Sequence, residues 1–122
     1  MLAHARDAAP NECCGLLIGR RDAIERSVRA RNREESPTRY LIDPEDHFAA
    51  IHDARSRGER VVGAYHSHPA SPPEPSPSDI AEATGGVDFV YLIASLIKPE
   101  GELAAYRLKN GRVIPVLFTV RP

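Results

Sequence analysis

Arg60-Val61-Val62-Gly63-Ala64-Tyr65-His66-Ser67-His68-Pro69, continued through Ala70-Ser71-Pro72-Pro73-Glu74-Pro75 to Ser76-Pro77-Ser78-Asp79, reads as a strand, a proline-rich loop and a helix start. The apolar run of Val61 to Tyr65 predicts a strand that continues to His68. Side chains alternate along a strand, so His66 and His68 project to one side. Pro69 biases His68 toward extended geometry and ends the strand there. Ser76 is an N-cap candidate, with Pro77 at the first helical position and the Asp79 carboxylate where a capping box places it. The stretch therefore sets two imidazoles at a strand end and one carboxylate at a helix start. Such a set is of the catalytic zinc type, because three protein ligands leave a fourth position open for water.

Outward from this stretch, helices and strands alternate. Met1 to Ala9 reads as a short helix ended by Pro10, Cys13 to Gly19 as a compact apolar strand, and Ala23 to Ala30 as a second strand with Ile24, Val28 and Ala30 on one face. Thr38 to Ile42 is expected to be extended. Asp43 caps a helix with Pro44 at its first position; Phe48, Ile51, His52 and Arg55 recur at helical spacing, and Gly58 closes it after Ser56. A helix from Ser76 ends before Gly85-Gly86. Strands follow at Asp88 to Ser95, Glu102 to Leu108 and Arg112 to Val120, the last two joined by the tight-turn signal Asn110-Gly111. The pattern predicts a single α/β domain over residues 1–122, with a mixed central sheet flanked by helices. Pro69, Pro72, Pro73, Pro75 and Pro77 mark a rigid loop beside a site. A domain linker there would strand a piece of about 45 residues, near the lower limit for independent folding.

A chain of 122 residues suits one core, and a formal net charge of -1 argues against a dedicated nucleic-acid binder. The longest apolar run, Phe89 to Ala94, is too short to cross a bilayer. Met1 to Asp7 lacks the apolar region of a signal peptide, which leaves the cytoplasm as the expected compartment. The arginines between Arg20 and Arg33 are interspersed with Asp22 and Glu25 and flanked by Glu34 and Glu35, as on a solvated strand face. Cys13 and Cys14 are adjacent, which suits neither an ordinary disulfide nor a C-x-x-C pair; at least one is expected in the core. His4, His47 and His52 have no ligand spacing and read as ordinary helix residues.

A zinc hydrolase generally needs a general base that is not itself a ligand. Pattern alone leaves Glu12, Glu74 and Glu82 as candidates. Two His and one carboxylate would equally suit the facial triad of an Fe(II) oxygenase. A metallo-β-lactamase-like pattern would need an acid and a histidine where Ala70 and Ser71 stand. A non-catalytic interaction scaffold is the remaining alternative.

Glu12 at the head of the ECCGLLIG strand, followed by His66-x-His68-Pro69 and then Ser76-x-x-Asp79, resembles the JAMM/MPN+ (Mov34/PAD-1-like) zinc metallopeptidases at every motif position. The resemblance implies the JAMM/MPN, cytidine-deaminase-like fold. It implies one zinc ion per chain on His66, His68 and Asp79, Glu12 as general acid/base, and Ser76 as holder of the oxyanion. Compact length, ECCGLLIG, and Ser36-Pro37-Thr38-Arg39-Tyr40 before Asp43-Pro44 are similar to the short bacterial members. Those act on ubiquitin-like sulfur-carrier proteins ending in Gly-Gly, one group releasing cysteine from the carrier. Deubiquitinase-like isopeptidase action on other conjugates is the alternative within the family. Members usually begin with a strand and a longer first helix, so the resemblance implies a chain that starts partway into that helix.

Overall fold

The computed structural model describes residues 1–20, 23–86 and 88–119. The elements are α1 (Leu2–Ala8), β1 (Cys14–Arg20), β2 (Ala23–Ala30), α2 (Pro44–Ser56), β3 (Arg60–His68), α3 (Pro77–Ala81), β4 (Val90–Ser95), β5 (Glu102–Lys109) and β6 (Arg112–Val116). The strands form one sheet in the order β2-β1-β3-β4-β5-β6. Only β3 and β4 run parallel; every other neighbouring pair is antiparallel. The expected mixed α/β architecture is therefore present.

Alternation along β1 divides the interior into two layers. Cys13 and Leu17 pack with Tyr65, Leu92, Ala94 and Ala5 of α1. Leu16 and Ile18 pack with Ala64 and with Ala50 and Ala54 of α2. Residues of opposite parity on one strand thus meet α1 and α2, so the two helices cover opposite faces of the sheet. Cys13 and Cys14 are both buried. Burial pushes both thiols up, Cys14 to about 12, so both are protonated at neutral pH.

Capping chemistry sets several boundaries. The Asp43 carboxylate accepts from the Glu45 and Asp46 backbone N–H groups at the start of α2, and Gly58 follows its end at φ +69°. Asn110 and Gly111 both have positive φ, at 51° and 76°. A two-residue type I′ hairpin between paired Lys109 and Arg112 requires this. Arginines of β2 and the segment after it face solvent, yet they are ion-paired: Arg26 with Asp53 and Glu59, Arg29 with Asp7, Arg31 with Asp43 and Asp46.

Several expectations need correction. The buried stripe of α2 is Ala50 and Ala54, while Phe48 is 69% exposed. Small side chains let the helix lie close on Leu16, Ile18 and Ala64. Ile24 leaves the face of Val28 because the register jumps from Ile18↔Arg26 to Gly19↔Ile24, and a bulge reverses side-chain phase beyond it. Thr38 to Ile42 contributes only the isolated bridge Asn32↔Ile42. The helix after Ser76 ends at Ala81, before Gly85-Gly86 as expected, but β4 starts at Val90 rather than Asp88 and β6 ends at Val116; Val120 lies outside the described residues. Among the described residues no helix is long and apolar enough to cross a membrane.

Gly63 sits where β3 meets β4. A Cβ there would overlap the Val90 carbonyl oxygen and lie 3.1 Å from Leu17 Cδ1. Gly63→Ala should destabilise the fold by about 1–3 kcal/mol, the usual cost of overpacking, read as a lower midpoint in urea with an unchanged m-value.

Candidate metal centre

His66 and His68 end β3 on the face that carries Ala64 and α2. Asp79 reaches them from the first turn of α3. His66 Nε2 and His68 Nε2 lie 3.1 Å apart, and Asp79 Oδ2 is 3.1 Å from each. All three side chains are buried. Three lone-pair atoms form an equilateral triangle of a size that suits a small cation. A tetrahedron with bonds of about 2.0 Å, typical of zinc with nitrogen and oxygen, has edges of about 3.3 Å. No fourth His, Cys, Asp or Glu joins the group among the described residues.

Local chemistry aims each donor. His68 Nδ1 donates to the Pro72 carbonyl at 2.8 Å, which turns the Nε2 lone pair toward the triangle. Ser95 Oγ donates to the Ser71 carbonyl and the Tyr106 hydroxyl to the Pro73 carbonyl, both at 2.6 Å, so β4 and β5 pin the proline loop. The Ser76 hydroxyl accepts from the Asp79 backbone N–H at 3.1 Å, and Asp79 Oδ2 accepts from the Ser76 backbone N–H at 2.9 Å. The helix cap and the triangle therefore share one carboxylate oxygen. A carboxylate oxygen has two lone pairs, so one can serve the cap and the other a cation.

Glu12 stands two residues before Cys14, which pairs with His66. The ladder continues past that pair, with Ser67 N–H donating to the Cys13 carbonyl and Cys13 N–H to Ser67 Oγ. Alternation then sets Glu12 on the face of Cys14 and His66. Its carboxyl is buried, and Oε1 has no hydrogen-bond partner among the described residues. Burial lifts this carboxyl to about 7, opposed by His68 and aided by Asp79. Burial also holds His66 below its ordinary value. Burial alone would raise Asp79, but the His66 and His68 rings 3.1 Å away and the Ser76 backbone N–H hold it well below the carboxylate range. Burial would lower His68 as well, but Asp79 and the Pro72 carbonyl raise it above its ordinary value. With both rings neutral the trio offers two imidazole nitrogens and an anion as donors, with the Glu12 carboxyl beside them. A groove of ≈ 820 Å³ reaches Glu12 from the side of His4, Asn11 and Asn32, and touches none of the three donors.

All five residues singled out in the sequence fall in this region, with Ser76 at the cap of Asp79. Sequence reading did not single out Asn32, Ser67 or Ser95 as supports; Pro72 appeared there as part of a rigid loop beside the site, and Tyr40 as part of a motif. Tyr40 stacks on the His66 ring with centroids 4.2 Å apart. The contacts of Asn32 with Glu12, Ser67 with Cys13, Ser95 with Ser71 and Tyr40 with His66 join distant parts of the chain and leave no local signal, whereas that of Pro72 with His68 is local.

A family model described as prokaryotic homologs of the JAB domain matches residues 1–109. The chain belongs to this Prok-JAB family. The resemblance drawn from Glu12, His66-x-His68 and Ser76-x-x-Asp79 is thereby borne out. A desampylase of Haloferax volcanii is 38% identical over 115 residues, covering 87% of this chain and 78% of the relative. A CysO-cysteine peptidase of Mycobacterium bovis is 37% identical over 116 residues, covering 93% and 79%. The solution structure of a protein from Desulfitobacterium hafniense superposes with a TM-score of 0.86 at 40% identity, covering 95% of this chain and 82% of that one.

In the Prok-JAB chain the Ser76 hydroxyl caps α3 whatever else it does. Ser76→Ala should cost about 1 kcal/mol of stability in the metal-free protein, as loss of a serine N-cap does, measured by chemical denaturation in a chelating buffer.

Proposed function

We propose that residues 1–122 form a single zinc-dependent peptidase domain that hydrolyses the bond after the Gly-Gly end of a ubiquitin-like sulfur-carrier protein. Release of cysteine from such a carrier is the leading case. The observation that carries the reading is the buried triangle of His66 Nε2, His68 Nε2 and Asp79 Oδ2 beside the unpartnered Oε1 of Glu12. Membership of the Prok-JAB family and relatives named desampylase and CysO-cysteine peptidase support the substrate class.

His66, His68 and Asp79 would hold the zinc ion, one per chain. When bound, zinc supplies Lewis acidity and brings the ionisation of water toward neutral pH. Glu12 Oε1 takes the proton of the attacking water and later delivers it to the nitrogen that leaves. A carboxyl lifted toward neutrality suits both transfers, since it accepts and returns a proton at little cost. The Ser76 hydroxyl uses its oxygen to accept from the Asp79 N–H. Its hydrogen, which the Ser78 hydroxyl 3.1 Å away can take when no substrate is bound, turns to the substrate carbonyl oxygen, which carries negative charge once the water has added. Pro72, Pro73 and the residues that pin them keep His68 in place through the cycle.

Mass spectrometry of Gly-Gly-ended carriers, each carrying either a C-terminal cysteine or a lysine-linked protein, should show loss of the adduct with the zinc-loaded chain. Intact mass across all such substrates would sink the proposal, while cleavage of the lysine-linked form alone would assign an isopeptidase. Removing the metal with a chelator should abolish turnover, and zinc should restore it. Glu12→Gln should retain zinc yet lose roughly 10²–10⁴-fold in kcat, the usual contribution of general acid–base catalysis.

A further inference from the structure

The two histidines of the triangle are held by different means. His68 follows the common pattern for a ligating imidazole, giving its outer N–H to a carbonyl, here Pro72. His66 does not. Its Nδ1 is buried and has no hydrogen-bond partner among the described residues. Rotation about the bond to an imidazole ring is broad, so an unanchored ring does not fix where Nε2 points. What covers the His66 ring is Tyr40, stacked with an interplanar angle of 16° and centroids 4.2 Å apart.

Tyr40 is carried by an irregular segment with no strand or helix of its own, so its place has to come from elsewhere. Asn32 supplies it. The Asn32 side-chain amide donates to the carbonyls of Glu12 and Arg39, both at 3.1 Å, and its oxygen accepts from the N–H groups of Glu34 at 3.0 Å and Leu41 at 2.9 Å. Two carbonyls face the nitrogen and two N–H groups face the oxygen, so the amide orientation is unambiguous. Arg33 N–H donates to the Leu41 carbonyl and Asp43 N–H to the Arg31 carbonyl, closing the base of the segment. The Glu12 main chain is gripped on both sides: its N–H donates to the Ser36 carbonyl at 2.8 Å, and its carbonyl accepts from Asn32.

We propose that residues 32–42 act as a positioning clamp, in which Tyr40 sets the plane of the His66 ring by stacking and Asn32 locks that tyrosine and the Glu12 main chain into one unit. Neither residue touches substrate in this role; both are positioning residues. The clamp rests on the reading of His66 as a metal ligand. It differs from a hydrogen-bonded support in one respect that can be tested: the aromatic ring matters and the tyrosine hydroxyl does not. It also predicts that Asn32, which reaches neither histidine, controls metal affinity through the backbone of residues 39–41.

The test uses the full chain and the metal alone. Zinc affinity is measured by competition with a chromogenic chelator for the parent, Tyr40→Phe, Tyr40→Leu, Tyr40→Met and Asn32→Asp. Visible spectra of the cobalt-loaded proteins report ligand geometry. Only variants with the parent's far-UV circular dichroism are compared, and the two ringless variants back each other up. Tyr40→Phe should match the parent in affinity and cobalt bands. The ringless variants should bind zinc roughly 10–100-fold more weakly, the range found when a group that orients a ligating histidine is lost, with altered cobalt bands. Asn32→Asp, which sets carboxylate oxygens against two carbonyls, should weaken zinc in the same direction. Ringless variants that bind zinc as tightly as the parent overturn the clamp, as does a Tyr40→Phe variant as weak as they are. A parent chain that takes up no zinc overturns the metal reading itself, which separates the two failures.

Discussion

One carboxylate oxygen carries much of this structure. Asp79 Oδ2 accepts from the Ser76 N–H that begins α3 and lies 3.1 Å from both His66 Nε2 and His68 Nε2. A helix of five residues has little stability of its own, since helix nucleation is costly and α3 has few turns to recover it. The capping box and the histidines supply what its length cannot. The same geometry keeps a buried carboxylate acceptable, because a charged group removed from water must be met by hydrogen bonds or opposite charge. Local helix chemistry and site chemistry are thus one arrangement.

The second dependence is the pairing of β1 with β3. Cys14 opposite His66 brings the head of one strand level with the end of the other. The parallel neighbour β4 then covers the far side of β3, with His66 beside Ile93 and His68 beside Ser95. Ser95 turns to the proline loop rather than to the triangle, so a residue of the sheet supports the element that orients His68. Buried donors and acceptors in this region are paired almost throughout. The exceptions near the triangle, Glu12 Oε1 and His66 Nδ1, are therefore informative. Glu12 Oε1 is left available for the proton transfers proposed for it, and the His66 ring meets Tyr40 by stacking instead of a hydrogen bond at Nδ1.

Much of this was legible from residue order. The Ser76-Pro77-x-Asp79 cap, the Asp43-Pro44 helix start, the Asn110-Gly111 turn and the same-side projection of His66 and His68 all follow from rules acting over a few residues. Errors arose where packing between elements decided the outcome. The helical spacing of Phe48, Ile51, His52 and Arg55 did not say which side of α2 is buried, and the sheet accepts only the small Ala50 and Ala54 at its closest approach. Alternation put Ile24 with Val28, and a bulge against β1 reversed it. The extended reading of Thr38 to Ile42 missed that its backbone partners are the Asn32 side chain, the Ser36 hydroxyl and the Arg33 N–H rather than a neighbouring strand.

The sequence by itself determined which groups could do chemistry here and how His66, His68 and Asp79 are spaced, because strand alternation and helix capping are local and obey fixed periods. It could not choose Glu12 over Glu74 or Glu82 without a family resemblance. That choice depends on which strand lies beside β3 and in what register, a matter of long-range pairing. Nor could it disclose that Asn32 ties Glu12 to the segment carrying Tyr40, or that Tyr40 covers His66. Those contacts form only when the sheet brings distant residues within hydrogen-bonding and stacking distance, and no residue-to-residue period encodes them.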